Sequence, residues 1–301
     1  MQKRSCLFIG AAAVILIALT VCGSVWDLKI AHAVYLGQSP SENVFGVLFS
    51  FIGILPTFVG WSFLGAAIAC LSQKQVEDTK KRRRFMVFAI LLFTLSFFYF
   101  CNTLYMANAN AVKIPFVVAY GIGIAVILAA AFLGYKLAER SEDRELLQKV
   151  LFLAVVSLVT LLIVSSTKKI MCRPRFRFLL ATDHIDYFRS WWQSGRGLKA
   201  SLGLGAASDE FASLPSGHSA YSMFAVFLFP VFGDFVGKLR KYKPLLFALG
   251  FLWWAVTAFS RLTVGAHYLT DVTIGGLVTV LAYGAVTLAK RIYEKRKTKQ
   301  T

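Results

Sequence analysis

The segment Ser260–Asp271, with the sequence SRLTVGAHYLTD, decides how the rest of the chain is interpreted. It contains an arginine, a histidine and an aspartate, and it lies between two apolar runs that are long enough to cross a bilayer. Ionisable side chains at membrane depth are costly, and they are rare outside a protein interior or a wet cavity. The segment is therefore a candidate functional site in a membrane protein.

The spacing of His267 and Asp271 suggests how they could work together. If the chain is helical from His267 onward, both side chains lie on one face, about one turn apart. The carboxylate would then hold one ring nitrogen protonated and leave the other free as a nucleophile or base. A hydrogen bond that only closes the start of a helix would use the same two residues, so this spacing alone leaves both interpretations open.

The composition indicates an integral membrane protein. Of the 301 residues 57% are hydrophobic, and a mean hydropathy of +0.64 is too high for a soluble domain of this length. A spanning helix needs about 20 apolar residues. We therefore expect an all-α polytopic transmembrane bundle with about eight spanning helices, formed by the uncharged runs 5–26, 43–73, 85–112, 114–135, 150–167, 211–233, 244–260 and 272–289.

The basic residues predict the orientation. With both termini in the cytoplasm, 22 of the 33 lysines and arginines lie on the cytoplasmic side, as the positive-inside rule requires. This distribution accounts for most of the net charge of +18, so the charge does not indicate nucleic-acid binding. Most of the other basic residues cluster in or beside two outer loops, which indicates an anionic ligand at the outer face. These residues are Lys168, Lys169, Arg173, Arg175, Arg177, Arg189, Arg196, Lys199 and Arg261.

The order of the crossings brings three polar clusters to this face: the end of the fifth run, residues 215–218, and residues 260–271. Residues 215–218 open a predicted helix, where free N–H groups, a serine hydroxyl and the helix dipole favour an anion. Two histidines, an aspartate and several cations suit phosphoryl transfer, which requires positioning and charge stabilisation. The outer acids are scattered, unlike the ligands of a hard metal ion. We therefore predict no metal and no cofactor.

The three clusters resemble the type 2 phosphatidic acid phosphatase family, whose signature is Lys-x6-Arg-Pro, Pro-Ser-Gly-His and Ser-Arg-x5-His-x3-Asp. The second motif is present as Pro215–His218 and the third as Ser260–Asp271. The first is Lys168 followed by Arg175, with phenylalanine in place of proline. An alternative alignment on Arg173 keeps the proline but replaces the lysine by serine, so we prefer Arg175.

The resemblance implies a role for each matched residue. His267 would be the nucleophile that forms a phosphohistidine, Asp271 its orienting partner, and His218 the general acid. The phosphate cradle would consist of Lys168, Arg175, Ser216, Gly217 and Arg261. The family's six-helix core would correspond to residues 85–290. Residues 1–84 would add two helices and a basic loop without a readable motif, and 291–301 would be a basic cytoplasmic tail.

The predicted function is a metal-independent phosphatase for lipid phosphates or pyrophosphates at the outer face of the plasma membrane. Its predicted partners are the bilayer and a membrane lipid phosphate, without nucleic acid, and the sequence does not indicate an oligomeric state. A close alternative is a lipid phosphotransferase that uses the same phosphohistidine. An alternative of a different class is a transporter or binding protein that holds an anionic lipid without cleaving it.

Overall fold

The computed structural model describes residues 3–107, 115–203 and 209–298, and every regular element in these ranges is a helix. The all-α prediction is confirmed. The α-helices are α1 (Lys3–Val34), α2 (Val44–Ile52), α3 (Leu55–Gln75), α4 (Thr79–Ala107), α5 (Phe116–Arg140), α6 (Leu146–Met171), α7 (Phe176–Thr182), α8 (Arg196–Ser201), α9 (Gly217–Met223), α10 (Ala225–Phe235), α11 (Lys243–Thr263) and α12 (Leu269–Thr298). Short 3-10 helices occupy Ile185–Tyr187, Asp209–Phe211 and Gly237–Tyr242.

Seven helical stretches in the described ranges are long and apolar enough to cross a membrane, so the chain is a multi-pass membrane protein. They are Leu7–Val34, Val44–Gln75, Thr79–Leu104, Val117–Arg140, Leu146–Thr182, Gly237–Thr263 and Leu269–Thr298. The number differs from the predicted eight because the run 211–233 does not form one long helix. It folds as α9 followed by α10, and the break falls at Phe224.

The second apolar run is also interrupted, between α2 and α3. Pro56 lies at the start of α3 and has no amide hydrogen, so it cannot donate to the carbonyl of Ile52, the last residue of α2. The chain therefore forms a separate short helix, α2, before the long helix α3. Asn43 caps α2, and its side-chain amide donates to the hydroxyl of Thr263 at 3.1 Å. This bond ties the start of α2 to the end of α11.

The N-terminal helices pack against the helices that carry the sequence motifs. α1 lies against α12 and α11, α2 lies against α11, and α3 contacts α6 and α9. α4 and α5 contact mainly α3 and each other. The division into residues 1–84, 85–290 and 291–301 stays a prediction. This packing does not separate 85–290 as a unit, because α1 contacts α12 extensively while α4 and α5 are peripheral.

A glycine on α12 allows a close approach to α9. A Cβ atom at Gly275 would lie 2.5 Å from the carbonyl oxygen of Ser216 and 3.2 Å from Cβ of Ser219. One turn earlier, the carbonyl of Asp271 accepts a hydrogen bond from the backbone N–H of Ser216 at 2.9 Å. Backbone contacts therefore set the distance between α12 and the start of α9.

We predict that Gly275→Ala lowers the melting temperature of the purified protein in detergent. The added methyl group meets backbone atoms that can move only if α12 and α9 separate, and overpacking of this kind typically costs about 1–3 kcal/mol. Gly284→Ala is the matched control on the same helix, because no atom lies within 4 Å of its added Cβ. Equal melting temperatures for the two variants would contradict the close contact.

Candidate functional site

Three segments that are distant in sequence meet at one end of the bundle: the end of α6, the start of α9, and the turn between α11 and α12. His267, in that turn, places Nδ1 2.7 Å from the carbonyl oxygen of Ser213, just before α9. Lys168, in the last turn of α6, donates through Nζ to the carbonyl of Ala212. The convergence predicted from the order of the crossings is therefore present.

The start of α9 offers fewer free groups than the sequence suggests. The backbone N–H of Ser216 is used by Asp271, and its hydroxyl oxygen caps α9 by accepting from the N–H of Ser219 at 3.3 Å. Gly217 follows, and a Cβ atom there would lie 3.8 Å from Cε of Lys168. The lysine stem thus runs beside the glycine, and an added Cβ would also lie 3.3 Å from the ring of Tyr221.

His267 is held in one tautomer. A carbonyl oxygen can only accept, so Nδ1 carries the hydrogen that is donated to Ser213, and Nε2 of the neutral ring keeps its lone pair. The side chain is only 2% exposed. Burial is the main reason why the pKa of His267 is lowered to about 3; Asp271 opposes this shift, while Arg175 and Lys168 add to it. The imidazole is therefore neutral at physiological pH, as a nucleophile must be.

Asp271 reaches His267 mainly through Ser213. Its Oδ2 lies 3.9 Å from Nδ1 of His267, which is longer than a hydrogen bond. The hydroxyl of Ser213 donates to this Oδ2, while the carbonyl of the same residue accepts from His267. The N–H of Tyr268 also donates to Oδ2, at 2.9 Å. Ser213, which lies outside all three motifs, thus connects the His267–Asp271 pair that the four-residue spacing predicts.

The other histidine and a motif arginine are held by α2. Nε2 of His218 lies 3.0 Å from the carbonyl oxygen of Ser50. Arg261, which is 3% exposed, donates to the hydroxyl of Ser50 at 2.7 Å and to the carbonyl of Gly46. Sequence analysis missed Ser50 and Gly46. Two of these three acceptors are backbone carbonyls, which leave no local signal in a sequence.

Arg175 binds a carboxylate and the backbone next to His267. Its guanidinium donates to the backbone carbonyl of Asp209 at 2.8 Å, to the carboxylate of Asp209 at 2.7 Å, and to the carbonyl of Ala266 at 3.2 Å. Burial raises the pKa of Asp209, but neighbouring cations, Arg175 foremost, outweigh this and lower it. The carboxylate is therefore ionised. Arg175 also acts electrostatically on both His218 and His267.

Arg173, the alternative end of the first motif, has different partners. It is fully buried, and its guanidinium donates to Asp271 at 2.6 Å and to Asp27 at 2.9 Å. It also lies 4.2 Å from the ring centroid of Tyr268. Because its charge is committed to two protein carboxylates, Arg173 is poorly placed to bind a substrate phosphate. This arrangement favours Arg175 as the phosphate ligand.

Asp27, on α1, is a further residue that sequence analysis missed. It directly follows the first apolar run, 5–26, and belongs to no motif. A signal was present, because a lone carboxylate at membrane depth is costly and usually has a partner. That partner, Arg173, is 146 residues away, and no local pattern connects the two.

The described residues contain no group of three His, Cys, Asp or Glu side chains that could hold a metal ion. Metal-independent chemistry stays a prediction, which chelation can test.

The chain is a membrane protein with a bundle of spanning helices. At one end of the bundle lie two histidines, three motif cations and a buried carboxylate, an arrangement that suits an anionic ligand. Residues 149–297, just under half of the chain, match the family model described as the PAP2 superfamily. The family resemblance is confirmed, and the matched segment contains every residue predicted for the site. Comparison with curated proteins and with solved structures gave no significant match.

Proposed function

We propose that the protein is a phosphatase for lipid phosphates or pyrophosphates and that it acts through a phosphohistidine on His267. The observation that carries this proposal is the buried, neutral imidazole of His267, whose Nε2 lone pair is available beside the cations Arg175 and Lys168. A nucleophile next to fixed cations is what phosphoryl transfer requires. Membership of the PAP2 superfamily supports phosphatase activity in general.

The reaction would proceed in two steps. In the first, Nε2 of His267 forms a bond to phosphorus while the bond from phosphorus to the lipid oxygen breaks, and His218 gives a proton to the departing oxygen. Because the carbonyl of Ser50 accepts from Nε2 of His218, that proton would be carried on Nδ1. In the second step, water attacks phosphorus and gives a proton to His218, and phosphate leaves with His267 neutral again.

The phosphate oxygens would be held by Lys168, Arg175, Ser216, Gly217 and Arg261. In Arg175 and in Arg261, each guanidinium nitrogen already donates one hydrogen bond to the protein. The second N–H of each terminal nitrogen is thus left for a phosphate oxygen, and a planar guanidinium can offer two at once. This geometry supports recognition of a phosphate group with several unprotonated oxygens.

The substrate would be a lipid because the site lies at the end of membrane-spanning helices, where a headgroup and its chains can be accommodated together. Suitable substrates include phosphatidic acid, phosphatidylglycerol phosphate and isoprenyl pyrophosphates. Transfer of the phosphate to another hydroxyl, or binding without cleavage, would use the same contacts.

The central test is phosphate release from these three lipids by the purified protein in detergent. The wild type should turn over at least one of them and retain a radiolabelled phosphate in single-turnover experiments. His267→Ala should do neither, because no cation can replace the attacking nitrogen. His184→Ala is the control, because this imidazole is about half exposed and its ring contacts Asp186 and Tyr187, which belong to no motif.

Other outcomes of this assay have distinct meanings. Undiminished turnover by His267→Ala would remove the phosphohistidine from the mechanism. Label transfer that requires an added hydroxyl compound would indicate a phosphotransferase, and lipid binding without turnover would indicate a transporter or binding protein. Loss of activity with EDTA, restored by one divalent ion, would refute metal-independent chemistry.

A second prediction concerns the phosphate cradle. Arg175→Lys should lower kcat/KM by about 100-fold or more, because it keeps the charge but loses the paired N–H groups of the guanidinium. Arg196→Lys is the matched control, since Arg196 is exposed in the same outer segment. It should leave kcat/KM nearly unchanged. A mild effect of Arg175→Lys would exclude bidentate phosphate binding by this residue.

We also propose that the site faces the outside of the plasma membrane, with both termini in the cytoplasm. The distribution of lysine and arginine supports this orientation. In whole cells, Ser194→Cys should react with a membrane-impermeant maleimide, whereas Lys81→Cys should not. Both positions are exposed, so the difference reports sidedness, and the wild type measures the background of native cysteines. The opposite labelling pattern would place the chemistry in the cytoplasm.

A further inference from the structure

Asp27 lies on α1, outside the segment 149–297 that matches the PAP2 superfamily. Its side chain is 5% exposed, yet it has charged and polar partners on both oxygens. Oδ1 accepts from the backbone N–H of Thr270 at 2.9 Å, and Oδ2 accepts from the hydroxyl of Thr270 and from Arg173 at 2.9 Å. Asp27 therefore contacts both the start of α12 and the arginine that binds Asp271.

Arg173 joins two carboxylates in the protein interior. Its terminal nitrogens donate to Asp271 at 2.6 Å and to Asp27 at 2.9 Å, and neither Arg173 nor Asp271 has exposed side-chain surface. With both carboxylates ionised, the three groups carry one net negative charge. Without Asp27, the positive charge of Arg173 would cancel the charge of Asp271.

This net charge matters because the His267 ring changes charge during the proposed reaction. When Nε2 bonds to phosphorus, the electron pair comes from the ring and Nδ1 keeps its hydrogen, so the ring becomes cationic. The hydrogen on Nδ1 points at Ser213, which also binds Asp271. A net negative charge behind this relay stabilises the cationic ring, and at low dielectric such an effect is large.

We propose that Asp27 is a positioning residue for phosphoryl transfer: by pairing with Arg173, it leaves Asp271 with the negative charge that the phosphorylated His267 requires. This inference rests on the proposed phosphohistidine mechanism. It also gives α1 a part in the chemistry, because the second carboxylate of the network is supplied from outside the family segment.

The first experiment compares Asp27→Asn with the wild type in single-turnover phosphorylation by a radiolabelled lipid substrate. Asp27→Asn should slow label incorporation by about 10- to 100-fold, the range typical of losing the partner behind a metal-bound side chain. The lipid concentration that gives half the maximal labelling rate should change little, because Asp27 does not touch the substrate. Thr20→Val is the matched control, since it removes a 2.8 Å hydrogen bond between α1 and Thr273 of α12 without altering charge. Its rate should stay within about threefold of the wild type.

A charge-rescue variant separates this role from a purely structural one. Asp27→Asn combined with Arg173→Gln removes one negative and one positive charge, so the network again carries one net negative charge. We expect the double variant to react faster than Asp27→Asn and within about tenfold of the wild type. If Asp27 only supports the fold, losing two buried partners should be worse than losing one. A double variant slower than Asp27→Asn, or more than tenfold slower than the wild type, would therefore overturn the inference.

The same measurements separate this inference from the proposed function. If the wild type incorporates no label and releases no phosphate, the proposed function fails. If the wild type is labelled and Asp27→Asn matches its rate, only the role of Asp27 fails. If Asp27→Asn does not purify as a folded protein, the comparison of the double variant with the wild type decides by the same tenfold limit.

Discussion

The buried guanidinium of Arg173 is the constraint on which the arrangement of the site depends. Taking a charge out of water costs several kcal/mol per ion, so Arg173 is tolerated only where both Asp27 and Asp271 meet it. One carboxylate comes from α1 and the other from α12, while the arginine lies two residues after the end of α6. The packing of three distant segments and the electrostatic environment of His267 are therefore set by the same ion pairs.

Much of this architecture could be predicted from the sequence, because apolar runs and charge asymmetry are local properties. The helical class, the membrane location and the meeting of three motifs follow from run length, loop charge and the order of crossings. The number of long helices did not follow, because an apolar run does not reveal an internal break. The part of run 43–73 that precedes Pro56 forms the separate short helix α2, and the run 211–233 forms two helices, α9 and α10.

The details of the site were harder to predict because they depend on backbone atoms and on long-range pairing. His267 donates to the carbonyl of Ser213, and Arg261 donates to the carbonyl of Gly46; neither acceptor is encoded by a side chain. Asp27 could have been singled out as a costly carboxylate, but its partner depends on how α1 packs. α1 and α2 carry no motif in the sequence. They nevertheless supply Asp27, which binds Arg173, and Ser50 and Gly46, which bind Arg261.

The contacts of the proposed cradle cations also bear on the protonation state of the headgroup that the site would prefer. The nearby acceptors are already engaged: the carbonyl of Ala212 by Lys168, Asp209 by Arg175, and the carbonyl of Gly46 by Arg261. In the described part of the chain, each of these cations therefore already has an acceptor from the protein. A fully ionised phosphate monoester could accept from the N–H groups that are left, whereas a phosphate that carries its own proton has one acceptor oxygen and one negative charge fewer to offer them. The proposed cradle would thus favour the ionised over the protonated form of one headgroup, in addition to favouring anions over neutral lipids.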